Sequence, residues 1–320
     1  PRLPEMKLAT LMYEGQPYIG AVEANWNEVA VGRVLLLNRS PDWPQHVESM
    51  QRFVERSSEI LPLVQKLMVT AEQRLWMPLS AVKLCAPIPQ PIRNIICLGW
   101  NYAEHAKESS SAKGIQIEEL PQHPIVFTKA TTTVNGPFDD IVYNEQVSKR
   151  LDWEVELGVV IGKQGRHVAE HDALSHVFGY TVINDVSARD LQKRHKQFFL
   201  GKSMDGTCPM GPWIVTADEI GDPQDLSLRC LVNSSVKQEA STRQQIFSVA
   251  NVISTLSNVM TLLPGDIIAT GTPSGVGFAR TPPEYLVPGD IVQCEVEGIG
   301  KIANKIIQIG IGLPQSVGNN

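Results

Sequence analysis

Three carboxylates stand where a chain seldom puts charge: Glu154 and Glu156 in LDWEVELGVVIG, and Asp185 in GYTVINDVSARD. Both runs are apolar and β-branched, the composition of buried strands. Side chains two apart in a strand share a face, so Glu154 and Glu156 project together while Val155 and Leu157 pack behind them. Two like charges side by side repel, and burial sharpens the cost, so one must take a proton or a cation must lie between them. Oxygen donors with no nearby cysteine, and no histidine at ligand spacing, suit a hard divalent ion, Mg²⁺ or Mn²⁺, that keeps other positions for water and substrate. The competing reading is a solvated strand face, and the pattern alone leaves both open.

Other residues could join such a centre. In WNYAEHAKES, His105 and Glu108 are three apart on a short helix opened by Asn101 or Tyr102, so they share a face. A carboxylate bonded to an imidazole fixes its tautomer and raises its basicity, although a solvated surface pair has the same spacing. The polar run SSSAKGIQIEELPQH that follows is expected to be a mobile loop, suited to a lid. Lys129 ends the strand-like run PIVFTK, either capping it in solvent or facing a site. The glycines of GTPSGVG, 271–277, allow close backbone approach to a ligand, with amides and the Thr272 hydroxyl as donors. Lacking a glycine-lysine-serine ending, it is not a nucleotide P-loop. Glu295 and Glu297 repeat the alternate-glutamate spacing beside turns and are expected on a solvated edge.

The elements that must position these residues fall into two parts. Residues 1–85 are expected to form a small N-terminal α+β domain, with a strand meander from Met6 to Leu37, then a helix capped by Asp42 and interrupted at Pro62. PRLPE at the start reads as a remnant outside the fold. The proline-spaced connector CAPIPQP leads to a catalytic domain, residues 91–310. A formal charge of −6 offers no footprint for nucleic acid, and no apolar run reaches membrane-spanning length. Five scattered cysteines without a C-x-x-C motif are those of reduced thiols, which points to the cytoplasm.

The ordered set NIICLGWNYAEHAKE, HPIVFTKATT, LDWEVELGVVIGK, HVFGYTVINDVSARDLQ, GKSMDGTCPMGP and IIATGTPSGVG resembles the fumarylacetoacetate hydrolase superfamily over Pro91 to Ile307. Its SARD-to-PMGP segment is most similar to bacterial members described as oxaloacetate decarboxylases or enol-oxaloacetate tautomerases. The resemblance implies a β-rich α+β fold, a mixed β-roll or barrel with short helices, a homodimer, and a metal site at the mouth of the roll. It implies metal ligation by Glu154, Glu156 and Asp185, a catalytic lid dyad of His105 and Glu108, and a catalytic Lys202 in the GKS motif. It also implies substrate contacts from Lys129, Gln192 and Thr272. A further aspartate ligand of the true hydrolases has no counterpart near LGWNYAEH.

The chemistry expected from this set is decarboxylation of oxaloacetate, a small 2-oxo acid, with the divalent ion as sink for charge on the enolate oxygen. The same enolate, given a proton in place of carbon dioxide, supports keto–enol tautomerisation. The alternatives are a hydrolase, hydratase or isomerase of diketo acids or hydroxymuconate-type ring-cleavage products, and a regulatory partner-binding protein that retains the pocket.

Overall fold

The computed structural model describes residues 6–28, 31–114 and 119–308. Residues 1–5, expected to be a remnant, and residues 309–310, the end of the expected catalytic domain, lie outside them. The fold is a strand-rich α+β arrangement of mixed, open sheets with short helices. Through the middle of the large sheet run Lys7–Tyr13, Cys208–Thr216, Val177–Asn184, Val155–Ile161, Ile267–Ala269 and Ile95–Gly99, with Ile125–Lys129 at its edge. A second, five-stranded sheet contains Ser235–Ser241, Ser227–Val232, Ile291–Val296, Gly300–Gln308 and Ile141–Tyr143 in that order.

Alternation along the central strand distributes the core. Val155, Leu157, Val159 and Ile161 point into an apolar cluster shared with the five-stranded sheet, while Val160 points into another, shared with the N-terminal helices. Glu156 lies on the second face, at the end where that core gives way to polar groups. Because Lys7–Tyr13 pairs directly with Cys208–Thr216, the N-terminal segment extends the same sheet instead of forming a sheet of its own.

Three local expectations are corrected. Ser49, not Asp42, caps the first N-terminal helix, accepting from the Arg52 amide at 3.3 Å. The helical run breaks at Arg56, whereas the exposed Pro62 lies inside Ser57–Thr70, where water can meet the one carbonyl it leaves unpaired. Glu295 and Glu297 belong to no sheet edge: Ile291–Val296 is an interior strand, with Glu295 paired to Arg229 and only Glu297 exposed.

Phe53 is fully buried and packs between Trp43 and Phe178, tying the helical layer to the central sheet. Phe53→Ala is expected to lower the unfolding free energy by about 3–5 kcal/mol. Val259→Ala, at a position 78% exposed, should stay within about 0.5 kcal/mol. Urea denaturation of the two variants checks this; equal losses would contradict the placement of the core.

Candidate metal centre and catalytic cleft

The carboxylates meet because of strand register. Val155 pairs with Asn184, which sets Glu154 beside Asp185, and the Asp185 amide donates to the Glu154 carbonyl at 2.9 Å. A one-residue slip would turn these side chains to opposite faces. Each of Glu154, Glu156 and Asp185 offers an oxygen within 4.8 Å of the others, and all three residues are buried. The sequence-level choice between solvated face and buried cluster is thereby decided for burial.

The surrounding charges are unequal. Lys202 donates to Glu154 Oε2 at 2.7 Å and Asp185 Oδ2 at 2.6 Å. Lys129 Nζ stands 2.8 Å from Asp185 Oδ1, an ionic contact not aligned as a hydrogen bond, and donates instead to the Val186 carbonyl at 3.0 Å. Arg189 bridges Glu154 Oε1 at 2.6 Å and Asp152 Oδ2 at 2.8 Å. Four carboxylates, counting Asp152, thus face three cations, and Glu156 is the one with no cation against it. Its Oε2 accepts from the Gly271 amide at 2.7 Å, while its buried Oε1 has no hydrogen-bond partner.

This imbalance shows in protonation. Burial, then the charges of Asp185 and Glu154, pushes the Glu156 carboxyl well above the ordinary range. Burial pushes Glu154 the same way, but Lys202, Arg189 and His105 outweigh it and hold that carboxyl low. Burial opposes the charge on Lys202 too, yet Asp185 and Glu154 raise its pKa, so it stays an ammonium. Cys208 is no competing ligand, because burial above all pushes its thiol up to about 12. A buried oxygen without a partner, on a carboxyl that repels its neighbours, fits a divalent cation, and Glu154, Glu156 and Asp185 are the residues that would hold it.

A cleft of about 390 Å³, counting space open to solvent, reaches this cluster from one side. Glu154, Lys202, Arg189 and Gln192 line its floor, with His105, Ser109 and Lys113 from the helix Ala103–Ala112 and its C-cap. His105 Nδ1 is 3.0 Å from Glu108 Oε1. Both Glu108 oxygens also accept from the Gly275 amide at 3.0 Å, so the dyad is pinned to the 271–277 loop. Trp100, at the cleft wall, holds a left-handed φ of 51°, a strain of the sort found at functional positions.

Several expected roles shift. Lys129, expected at the substrate, is fully buried beside Asp185 and is not among the residues that line the cleft. Thr272 does border the cleft, but its hydroxyl is engaged, donating to the Val155 carbonyl at 3.0 Å and accepting from Gln238 at 2.8 Å. The loop amides expected to hold an anion hold Glu156 and Glu108 instead. Gly275 is required by its φ of +103° and because a Cβ there would lie 2.1 Å from the Lys237 carbonyl. Ser109–Ala112, expected in a mobile loop, are helical, while residues 115–118 lie outside the described chain. Sequence reasoning missed Arg189 and Asp152, which lie in the SARD and LDWE segments but carry no spacing that marks them as partners.

The carboxylate cluster is buried, and its cationic floor and the histidine–glutamate pair open on one cleft. Residues 94–307 match the family described as fumarylacetoacetate (FAA) hydrolase, C-terminal. The chain belongs to this family and is an enzyme of the fumarylacetoacetate hydrolase superfamily. It is 52% identical over 228 residues to the oxaloacetate tautomerase YisK of Bacillus subtilis, covering 71% of this chain and 74% of that one. It is 41% identical over 294 residues to a mitochondrial oxaloacetate tautomerase of Homo sapiens, covering 91% and 88%. Among solved structures, a fumarylacetoacetate hydrolase from Exiguobacterium antarcticum superposes with a TM-score of 0.78 at 38% identity, over 95% of this chain and 100% of that one. A 2-hydroxyhepta-2,4-diene-1,7-dioate isomerase from Mycobacterium marinum gives 0.73 at 31%, over 95% and 99%. Among the described residues, no helix is long and apolar enough to cross a membrane.

A group whose pKa rises on folding contributes stability below its unfolded value and loses that contribution as pH climbs through the folded one. Metal-free protein is therefore expected to lose stability as pH rises above the usual carboxylate range, and Glu156→Gln, which cannot ionise, to lose less. Thermal unfolding in chelator across pH checks this; identical slopes in both proteins would contradict it.

Proposed function

We propose that this enzyme interconverts the keto and enol forms of oxaloacetate. The observation that carries the proposal is that the His105–Glu108 pair and the cationic floor open on one cleft. The relatives named oxaloacetate tautomerases support it and bring tautomerisation ahead of the decarboxylation expected from the sequence. Glu108, as a carboxylate, takes the Nδ1 proton of His105 as a hydrogen bond and so leaves Nε2 as the basic atom. Among the described residues its one hydrogen-bond contact is Ser109 Oγ, at 3.4 Å. It serves to take the proton from the carbon beside the keto group as the enol forms and to give it back there as the ketone re-forms, while the enolate oxygen gains and loses its own proton by exchange with water in the open cleft. Lys202, held as an ammonium, and Arg189 place positive charge beside the enolate oxygen, and Gln192, bonded to Arg189 at 3.0 Å, is positioned to orient the substrate. When bound by Glu154, Glu156 and Asp185, Mg²⁺ or Mn²⁺ supplies further positive charge against the enolate and the adjacent carboxylate.

Decarboxylation of the same acid is the second reading, favoured by the two cations on the cleft floor, since it needs an electron sink but no base to begin. Following both the enol absorbance and pyruvate formation separates the two. His105→Ala is expected to slow tautomerisation by about two orders of magnitude or more. Exhaustive chelation should abolish it, and Mg²⁺ or Mn²⁺ restore it. Pyruvate forming at full rate in His105→Ala would favour decarboxylation, and full tautomerisation in that variant would remove the dyad from the chemistry.

A further inference from the structure

We propose, resting on the 2-oxo-acid reading above, that Lys113 selects for a second, distal carboxylate on the substrate, so that the cleft prefers dicarboxylic over monocarboxylic 2-oxo acids. His105, Ser109 and Lys113 recur at four-residue spacing and all line the cleft, placing the lysine on the same side of the helix as the dyad, two turns on. Its ammonium stands over three rings, 5.3 Å from the centre of Trp100 and 5.9 Å from those of Phe198 and Phe278. Such rings orient a cation without neutralising it.

Lys113 differs from the other cations of the cleft. Arg189 and Lys202 each touch two protein carboxylates. Among the described residues, no carboxylate pairs with Lys113. The residue as a whole is exposed, but its charged end is drawn inward, where burial and then the Arg189 charge push its pKa down. Arg189 and Lys202 oppose a cation there, and what favours it within the fold is the three rings and the charge of Glu154, which is itself already paired with Arg189 and Lys202. The helix end is closed by the Lys113 backbone amide, which donates to the Ser110 carbonyl at 3.1 Å, so the side chain is not needed for that. An anion from outside the protein satisfies it, and the far carboxylate of a diacid anchored at the cleft floor brings one.

The rival explanation is a lysine that merely favours the helix C-terminus electrostatically. Steady-state kinetics on oxaloacetate and on the methyl ester of its distal carboxyl separate the two, using wild type, Lys113→Met and Lys113→Arg. Lys113→Met is expected to raise KM for the diacid roughly 10- to 100-fold, the range of a charged hydrogen bond, with kcat little changed. KM for the ester should move by less than about twofold, and Lys113→Arg should recover most of the diacid affinity. Equal changes for both compounds, or none, would overturn the proposal. Should wild type turn over neither compound, the 2-oxo-acid reading fails, and calorimetric binding of both to wild type and Lys113→Met still reads the lysine. A diacid preference lost in the variant then supports it, and equal affinities reject it.

Discussion

One buried carboxyl more than the surrounding cations can balance organises the active end of this molecule. Strand register forces Glu154, Glu156 and Asp185 together, and the protein supplies three cations to four carboxylates. Had a fourth cation been built in, the cluster would be a neutral structural network, with no electrostatic demand for anything from outside. The shortfall falls on Glu156, whose carboxyl is pushed toward its protonated form and whose buried Oε1, unlike Asp185 Oδ1 beside Lys129, has neither a hydrogen-bond partner nor a cation against it among the described residues. A divalent ion would convert the deficit into a surplus of one positive charge, the sign that an enolate needs.

The rest of the cleft depends on how tightly this cluster is tied to its cover. Asp152 accepts from the amides of Gly277 at 2.7 Å and Phe278 at 3.0 Å while holding Arg189, so the loop after the GTP turn and the SARD segment are fixed to each other. Asn101 donates to the Thr270 carbonyl at 2.8 Å and accepts from the Phe247 amide at 2.8 Å, anchoring the start of the helix that carries His105. Glu108 completes the frame through Gly275. Glycine serves here to let one backbone pass close to another. The dyad, the loop and the carboxylates are therefore one hydrogen-bonded unit, and the position of the base is set by the same residues that set the floor.

Much of this was legible in the sequence because it is local. Alternate glutamates in an apolar run, an aspartate in the next apolar run and a histidine three residues before a glutamate each follow from strand or helix periodicity. Gln192 and Lys202 came from the family likeness and do lie in the cleft. What escaped depends on contacts distant in sequence. Arg189 matters through Asp152 and Glu154, more than thirty residues away, and Thr272 is engaged by Gln238, which no pattern links to it. Lys113 looked like part of a polar loop because serines and glycine surround it, whereas helical spacing from His105 carries it to the cleft. The pairing of Lys7–Tyr13 with Cys208–Thr216 was not legible for a similar reason: proline spacing marks a connector but says nothing about which strands later pair across it.

The most direct test is anomalous diffraction from crystals soaked in Mn²⁺. A single strong peak is expected among the carboxylates of Glu154, Glu156 and Asp185, with the unpartnered oxygen of Glu156 turned toward it. Absence of a peak there at saturating Mn²⁺, with Lys202 still bridging Glu154 and Asp185, would contradict the idea that this cluster is short of a cation.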